Sequence, residues 1–520
     1  MVDNNENNSM GQKTVVINAT QGFSHTASSP NAMNEKLQQL INQGMAAVKE
    51  KQWQVGLDLL SQAVLLSSQT PVLWEYLGMC AVHLQKFEAA YLHTTRLIWI
   101  QPDNVIAHLN RGRIAEKLNM VEEAIADFNF VITSPKATPA HIAEAGVILI
   151  SLYRDRASNE TEIKFAFDVI AILEKLPPEA IEPVKGKFLR HRLFTYIKSG
   201  DYKKGFAYYE VRNNPNIKLF SQPIWGGLPH HEDKNLWQGT ESLKGKTILV
   251  AAEQGFGDVI QFVRLMPDFC ALVKKQGAKK IILEVYDNLA VLLQMAPVCK
   301  DVEVIARGGA VPSFDYWFKM GSLPYYLQLT IGTIPFSDKK NAVYITAPSS
   351  EKKPLPKVAG RKKIGLVWSS SVVSNDNSLR SLPSLKSLLP LWDAADCDFY
   401  SLQVGEAAKE IVTIGMEAAL LDLSPHLKNF SDTAKFANEM DLIITIDSAV
   451  MHIAGALGKP LWVMAPYATD WRLGLGKCHK PYVSPWYPTS QIFRCAKPGD
   501  WDPVVALIQE KLISKKFTEA

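Results

Sequence analysis

Two patterns of apolar placement divide the chain. Between residues 35 and 212 apolar and small residues recur at helical spacing, and four columns also recur every 34 residues: Gly44, Gly78 and Gly112; Trp53, Phe87 and Val121; Gly56, Ala90 and Ala124; Ala63, Leu97 and Val131. Small residues at fixed columns let two antiparallel helices approach closely, while the large ones fill the groove against the next pair. Pro102 and Pro135 fall near repeat ends, where a residue that cannot continue a helix is expected. From Ala140 to Glu210 the pattern stays helical but loses the strict period, which predicts one divergent hairpin and a capping helix. Residues 1–34 read as a disordered tail, and residues 213–243, rich in Pro, Gly, Trp and His, as a linker.

Beyond the linker the pattern changes to short apolar runs alternating with amphipathic stretches. Thr247–Ala251, Ile281–Val285 and Val302–Ile305 read as strands, with a helix from Val259 to Lys275 after the first. A Pro-, Lys- and Ser-rich segment, 348–360, reads as a hinge, after which strands are expected at Lys363–Trp368, Asp398–Leu402, Leu442–Ile446 and Pro460–Met464. Alternating strands and helices imply parallel sheets covered on both faces. The expected architecture is α plus α/β: a helical solenoid, then two Rossmann-like halves at 244–350 and 361–515 facing each other across a cleft.

Composition narrows the function. The 520 residues are 47% hydrophobic and 21% charged, with a formal net charge of +4. This is globular composition, and with no basic run interleaved with aromatics it makes nucleic acid a poor candidate partner. The N-terminus lacks a signal-peptide pattern, and no apolar stretch approaches the roughly 18 residues of a membrane span. The six cysteines form no CxxC pair and read as reduced thiols, so a cytoplasmic protein is expected.

Three segments carry candidate chemistry. Glu253-Gln-Gly-Phe-Gly-Asp258 lies where a strand turns into a helix; its glycines permit a tight turn, and Asp258 is either a helix cap or a general base at the cleft mouth. The stretch Asp447 to Pro460 follows an apolar strand and opens a helix rich in small residues. Asp447 and Ser448 stand at the helix N-terminus, where amides and dipole attract phosphate, and His452 is one turn further on the same face. An N-cap pair with a buried histidine is the competing reading. The polar loop Trp368 to Ser381 offers Ser369, Ser370 and Arg380 to a diphosphate, Arg being suited to bidentate contact.

The 34-residue period is that of tetratricopeptide repeats. Residues 237–507 resemble the family 9, heptosyltransferase-like glycosyltransferases. The matching motifs are the turn ending at Asp258 with Ile260-Gln-Phe after it, Gly365-Leu-Val-Trp-Ser369, Arg380-Ser381, Ser401-Leu-Gln403, Asp447 to Pro460, Ser484-Pro-Trp-Tyr-Pro488 and Pro498-Gly-Asp-Trp501. The resemblance implies a GT-B pair of Rossmann-like domains, inversion at the anomeric carbon and no obligatory metal or other cofactor, with a nucleotide-diphosphate sugar, heptose or hexose, as donor. It places Asp258 as catalytic base. Ser369, Ser370, Arg380, Gln403, Asp447, Ser448, Ala449 and His452 fall toward the donor, and Glu253, Gln254, Gly255, Gly257 and Gln261 toward the acceptor side of the cleft. Ala449 stands where the family often has glycine, and Arg380 is the candidate for the family's phosphate-loop lysine. The acceptor would be a protein or glycan chosen by the repeats. The competing function is a non-catalytic repeat scaffold carrying a nucleotide-sugar-binding module.

Overall fold

The computed structural model describes residues 30–214, 216–217, 235–349, 355, 360–370 and 380–515. Most of the expected tail, linker and hinge, and the middle of the Trp368–Ser381 loop, lie outside the described residues. The tail was expected to run to residue 34, but helix α1 already begins at Pro30.

Residues up to Pro102 form one compact unit and those from Asp103 onward another. The first holds two helical hairpins, α1 (Pro30–Lys49) with α2 (Trp53–Leu66) and α3 (Pro71–His83) with α4 (Phe87–Ile100). Its core gathers Leu40, Val48, Leu60, Leu73, Leu77 and Cys80. The second unit opens with α5 (Val105–Lys117) and α6 (Val121–Thr133), α7 (Pro139–Arg156) and α8 (Glu160–Leu173), then the single turn α9 (Pro178–Ile181) and a last hairpin, α10 (Lys185–Ser199) and α11 (Tyr202–Tyr209). The reason for the small-residue column is direct: a Cβ at Gly112 would stand 2.9 Å from the Phe128 ring. Gly146 continues that column, with Leu173 2.7 Å from its would-be Cβ. The stretch from Ala140 to Glu210 therefore holds two hairpins rather than one hairpin and a cap. The period was hidden because α8 starts at Glu160, where strict spacing would begin it at Asp155.

After the hairpins come two parallel sheets. The first has the order β3-β2-β1-β4, with β1 Thr247–Ala251, β2 Lys280–Val285, β3 Glu303–Ala306 and β4 Tyr316–Lys319. The second has the order β10-β9-β8-β5-β6-β7, with β5 Lys362–Val367, β6 Cys397–Ser401, β7 Leu420–Asp422, β8 Leu442–Ile446, β9 Leu461–Ala465 and β10 Ser490–Arg494. This is an α plus α/β chain with two Rossmann-like halves of the GT-B kind. The strands β4, β7 and β10 were not expected. Leu420–Asp422 is only 3 residues long, and Ser490–Arg494 buries Ser490, Gln491 and Arg494 as well as its apolar residues, so neither reads as an apolar run. The helix expected over Val259–Lys275 is two, α12 (Phe256–Phe262) and α13 (Met266–Lys275), joined by a 3₁₀ turn. Pro267 in the first turn of α13 supplies no N–H to continue the earlier helix. No helix among the described residues is long and apolar enough to cross a membrane.

The last hairpin is joined to both halves. Arg212, just past α11, is buried and holds the equally buried Glu253 with Nη2 to Oε1 at 2.7 Å, while the Gly321 amide donates to the same oxygen at 2.9 Å. On the other side Lys198 Nζ donates to the Thr469 carbonyl at 2.9 Å, and Trp486 Nε1 to the Tyr202 hydroxyl at 2.9 Å. Arg494 donates to the Tyr467 and Gly476 carbonyls and to that of Ala157 beyond α7.

Candidate functional site

In an open parallel sheet, ligands bind beyond the strand C-termini where the strand order reverses. In the second sheet that point lies between β5 and β8, neighbours in register through Val367 and Thr445. Their ends deliver Ser369-Ser370 and Asp447-Ser448. In the first sheet it lies between β1 and β4, and β1 delivers the turn Gln254–Asp258. These loops enclose a cavity of about 660 Å³. Its lining includes Gln254, Gly255, Gly257, Asp258, Ser369, Ser370, Arg380, Gln403, Asp447, Ser448, Ala449 and His452. Glu253 and Gln261, placed beside them by the sequence, are not in the lining. Glu253 faces Arg212 instead, and Gln261 is buried with its Oε1 accepting from Arg472 Nε.

Asp258 sits in the first turn of α12. Its Oδ2 accepts from the Gly255 amide at 2.9 Å, the cap expected of an acid there, and its Oδ1 accepts from Arg472 Nη2. Burial pushes its acidity weaker than an ordinary aspartate's, against the opposing pull of Arg472 and the Gly255 amide. A weaker acid is a stronger base.

Asp447 is buried at the end of β8. Burial and the neighbouring Asp470 push its pKa up to about 6, with Arg380 and Arg472 opposing. Ser448 caps the helix Ala449–Ala456 in extended conformation, and its Oγ lies 3.0 Å from Thr445 Oγ1 rather than on a helix amide. The Met451 amide donates to the Ser448 carbonyl at 3.1 Å, while the Ala449 and Val450 amides before it stand ahead of the helical ladder, at the end of a helix where an anion is stabilised. The substitution of Ala449 for glycine leaves its amide in place. His452 is buried with Nδ1 2.6 Å from the Tyr487 hydroxyl, and burial holds it neutral, helped by Arg472 and Arg264.

The Gln403 side chain is committed to the backbone. Its Oε1 accepts from the Trp368 and Ser369 amides at 3.1 and 2.9 Å, and its Nε2 donates to the Ser369 and Val404 carbonyls at 3.0 and 2.9 Å. It shapes the loop after β5 rather than offering polar atoms to a ligand. The Ser370 amide donates to Ser381 Oγ at 3.0 Å, closing the base of the loop that brings Arg380 to the cavity wall.

Sequence reasoning missed Asp470 and Arg472. They follow β9 on a 3₁₀ turn, Trp471–Leu473, and both line the cavity. Arg472 Nη1 donates to Asp470 Oδ1 at 2.9 Å, and its guanidinium stacks 4.2 Å above the Trp471 ring. The available signal was position: in a parallel sheet every strand C-terminus faces the cleft, so charged residues just beyond β9 were candidates. Three aromatic residues in the lining, Phe256, Tyr286 and Phe430, were also missed; Phe256 lies 5.1 Å from each of the other two rings. The Tyr286 and Phe430 rings are inclined to that of Phe256 by 83° and 56°, so together they make an angled apolar part of the wall.

Part of the cavity wall lies in a segment that is similar to a known family. Residues 402–464, which run from the end of β6 through β8 and the helix after it to β9, match the family model described as glycosyltransferase family 9 (heptosyltransferase). Among individual proteins, the chain is similar to Protein FlbA of Caulobacter vibrioides, 23% identical over 483 residues covering 88% of this chain and 69% of FlbA. Partial likenesses among solved structures include YrrB, titled a TPR protein with an unusual peptide-binding site. It is 13% identical with a TM-score of 0.30, covering 36% of this chain and 95% of YrrB. Another is MamA 41-end from Desulfovibrio magneticus RS-1, 16% identical with a TM-score of 0.29, covering 34% and 93%.

Proposed function

We propose that the chain is an inverting glycosyltransferase that moves a sugar, heptose or hexose, from a nucleotide-diphosphate donor to a hydroxyl of a protein or glycan selected through the helical repeats. The observation that carries this reading is a shared cavity lined by Asp258 of one half and by the Ser448–Ala449 helix start and Arg380 of the other. In this reading the diphosphate lies on the first-turn amides and Arg380, and Phe256, Tyr286 and Phe430 cover the flat parts of the donor. Asp258 accepts the acceptor's hydroxyl proton as that oxygen bonds to the anomeric carbon from the face opposite the diphosphate. The bond from the anomeric carbon to the phosphate oxygen breaks, and its electron pair leaves with the diphosphate, whose charge the amides and arginines stabilise. The family match over residues 402–464 supports the class, while the choice of sugar and acceptor is part of the proposal.

A second reading, a non-catalytic nucleotide-sugar binder, draws on the two hydrogen bonds that Asp258 already accepts. Incubation with a panel of nucleotide sugars separates the two. Release of nucleoside diphosphate supports the transferase, and binding of a nucleotide sugar without release, in the presence of acceptor extracts, supports the binder.

A further inference from the structure

Arg472 stands in the cavity wall, and no motif of the sequence pointed to it. Its guanidinium has five N–H donors. Three carry bonds, to Asp258, Asp470 and Gln261. Its plane is fixed by stacking on Trp471, which is itself wedged among Tyr202, Phe206, Phe262 and Trp486. The group is therefore aimed rather than loose, and it lines the same cavity as Arg380 and the Ser448–Ala449 helix start.

The charge balance there is unfavourable to a second anion. Asp258, Asp447 and Asp470 line the cavity against Arg380 and Arg472, while Glu406, paired with Lys409, and Lys428 are exposed. A diphosphate adds two negative charges to a wall already rich in carboxylates, so its approach must compete for the guanidiniums present. Arg472 directly binds the carboxylate of Asp258, the proposed base.

We propose that the Asp258 carboxylate and the donor's diphosphate compete for the guanidinium of Arg472, so that donor binding loosens Arg472 from Asp258 and thereby strengthens Asp258 as a base. The inference rests on the donor-site reading above and deepens it. Arg472 becomes a ligand of the leaving group and, through the same contact, the element that couples arrival of the donor to activation of the base. An arginine suits this role because its planar fork matches the oxygens of a carboxylate and of a phosphate alike, so its N–H groups can pass from one to the other. Removing the Arg472 contact from a carboxylate raises its proton affinity, since an opposite charge is what favours the ionised form.

The test is a double-mutant cycle read by calorimetric titration of UDP, ADP and GDP into the full chain. Asp258→Asn in the wild-type background frees Arg472, and the best-bound nucleoside diphosphate should bind about tenfold tighter, the lower end of what one charge-assisted hydrogen bond contributes. In an Arg472→Met background the same Asp258→Asn change should alter affinity by less than about twofold, because the general loss of one negative charge remains but the competition is gone. Arg472→Gln serves as the uncharged background if Arg472→Met lowers the thermal midpoint. Equal effects of Asp258→Asn in both backgrounds, or weaker binding in the wild-type background, would overturn the competition while leaving the donor site standing. Failure of the wild-type chain to bind any of the three nucleotides would overturn the donor-site reading and this inference with it.

Discussion

A Cβ on Gly257 would stand 2.5 Å from the His452 ring, so the turn after β1 packs its bare backbone directly on the imidazole carried by the helix after β8. This contact fixes the separation of the Asp258 loop from the Ser448 helix start. Gly257→Ala should push the two loops apart, costing about 1–3 kcal/mol of stability as overpacking does. It should also reduce turnover, because reacting groups displaced by even an ångström lose the alignment that catalysis needs. Thermal denaturation and nucleotide-sugar turnover measured on the same preparation check both effects.

The buried pair of Arg212 and Glu253 joins the last helical hairpin to the first Rossmann-like half. Arg212→Met leaves the Glu253 carboxylate buried without its cation, and stability should fall by about 3–5 kcal/mol. Arg212→Met combined with Glu253→Leu should recover much of that loss, since it removes the uncompensated charge. Urea denaturation of the two variants decides whether the pair acts through its charge or only through its volume.

Arg380→Ala should weaken nucleotide-sugar binding by about 1–3 kcal/mol, the range for losing a hydrogen bond to a charged group. His452→Ala tests a different property. His452 is held neutral and is bonded to Tyr487, so its loss should affect affinity by less than Arg380→Ala does. Calorimetric titration of both variants with the same nucleotide sugar ranks the two residues.

Donor binding should depend on pH through Asp447. Burial and Asp470 push its pKa up to about 6 while Arg380 and Arg472 oppose, with Asp258 adding to the rise. Below that value Asp447 is protonated and the cavity carries one fewer negative charge. As pH rises through it the carboxylate ionises and repels the donor's diphosphate. Nucleotide-sugar affinity should therefore fall as pH rises from about 5 to about 7, a window in which the esterified diphosphate itself does not titrate and His452 stays neutral. Asp447→Asn should flatten that dependence, as isothermal titration at several pH values would show.

The repeats and the α/β alternation were legible because they rest on periodic burial, which leaves a trace at every turn. Gly44, Gly78 and Gly112 form a column in sequence because each lies against a partner helix in space. The fourth repeat was harder to read because α7, 18 residues long against 13 for α5, carried the start of the next helix on to Glu160 and broke the spacing, while Gly146 kept its packing role. In the site, Asp258 and Ser448 stood out because strand-to-helix turns carry their own local signature. Arg472 did not, because its importance comes from three partners, Asp258, Asp470 and Gln261, of which two are more than two hundred positions away. Gln403 shows the converse: it stands in a recognisable motif, yet its side chain holds backbone rather than facing the cavity with free polar atoms.

The account turns on Asp258, and the most direct test is the rate of nucleoside diphosphate release from the best nucleotide sugar by the wild-type chain and by Asp258→Asn. Asparagine keeps the size and can still cap the helix start, but it cannot take a proton. The expected result is a fall in turnover of roughly 10²–10⁴, with donor affinity kept or tightened and the thermal midpoint little changed. Turnover within a few-fold of wild type would show that Asp258 only caps α12 and holds Arg472, and would contradict its assignment as the base.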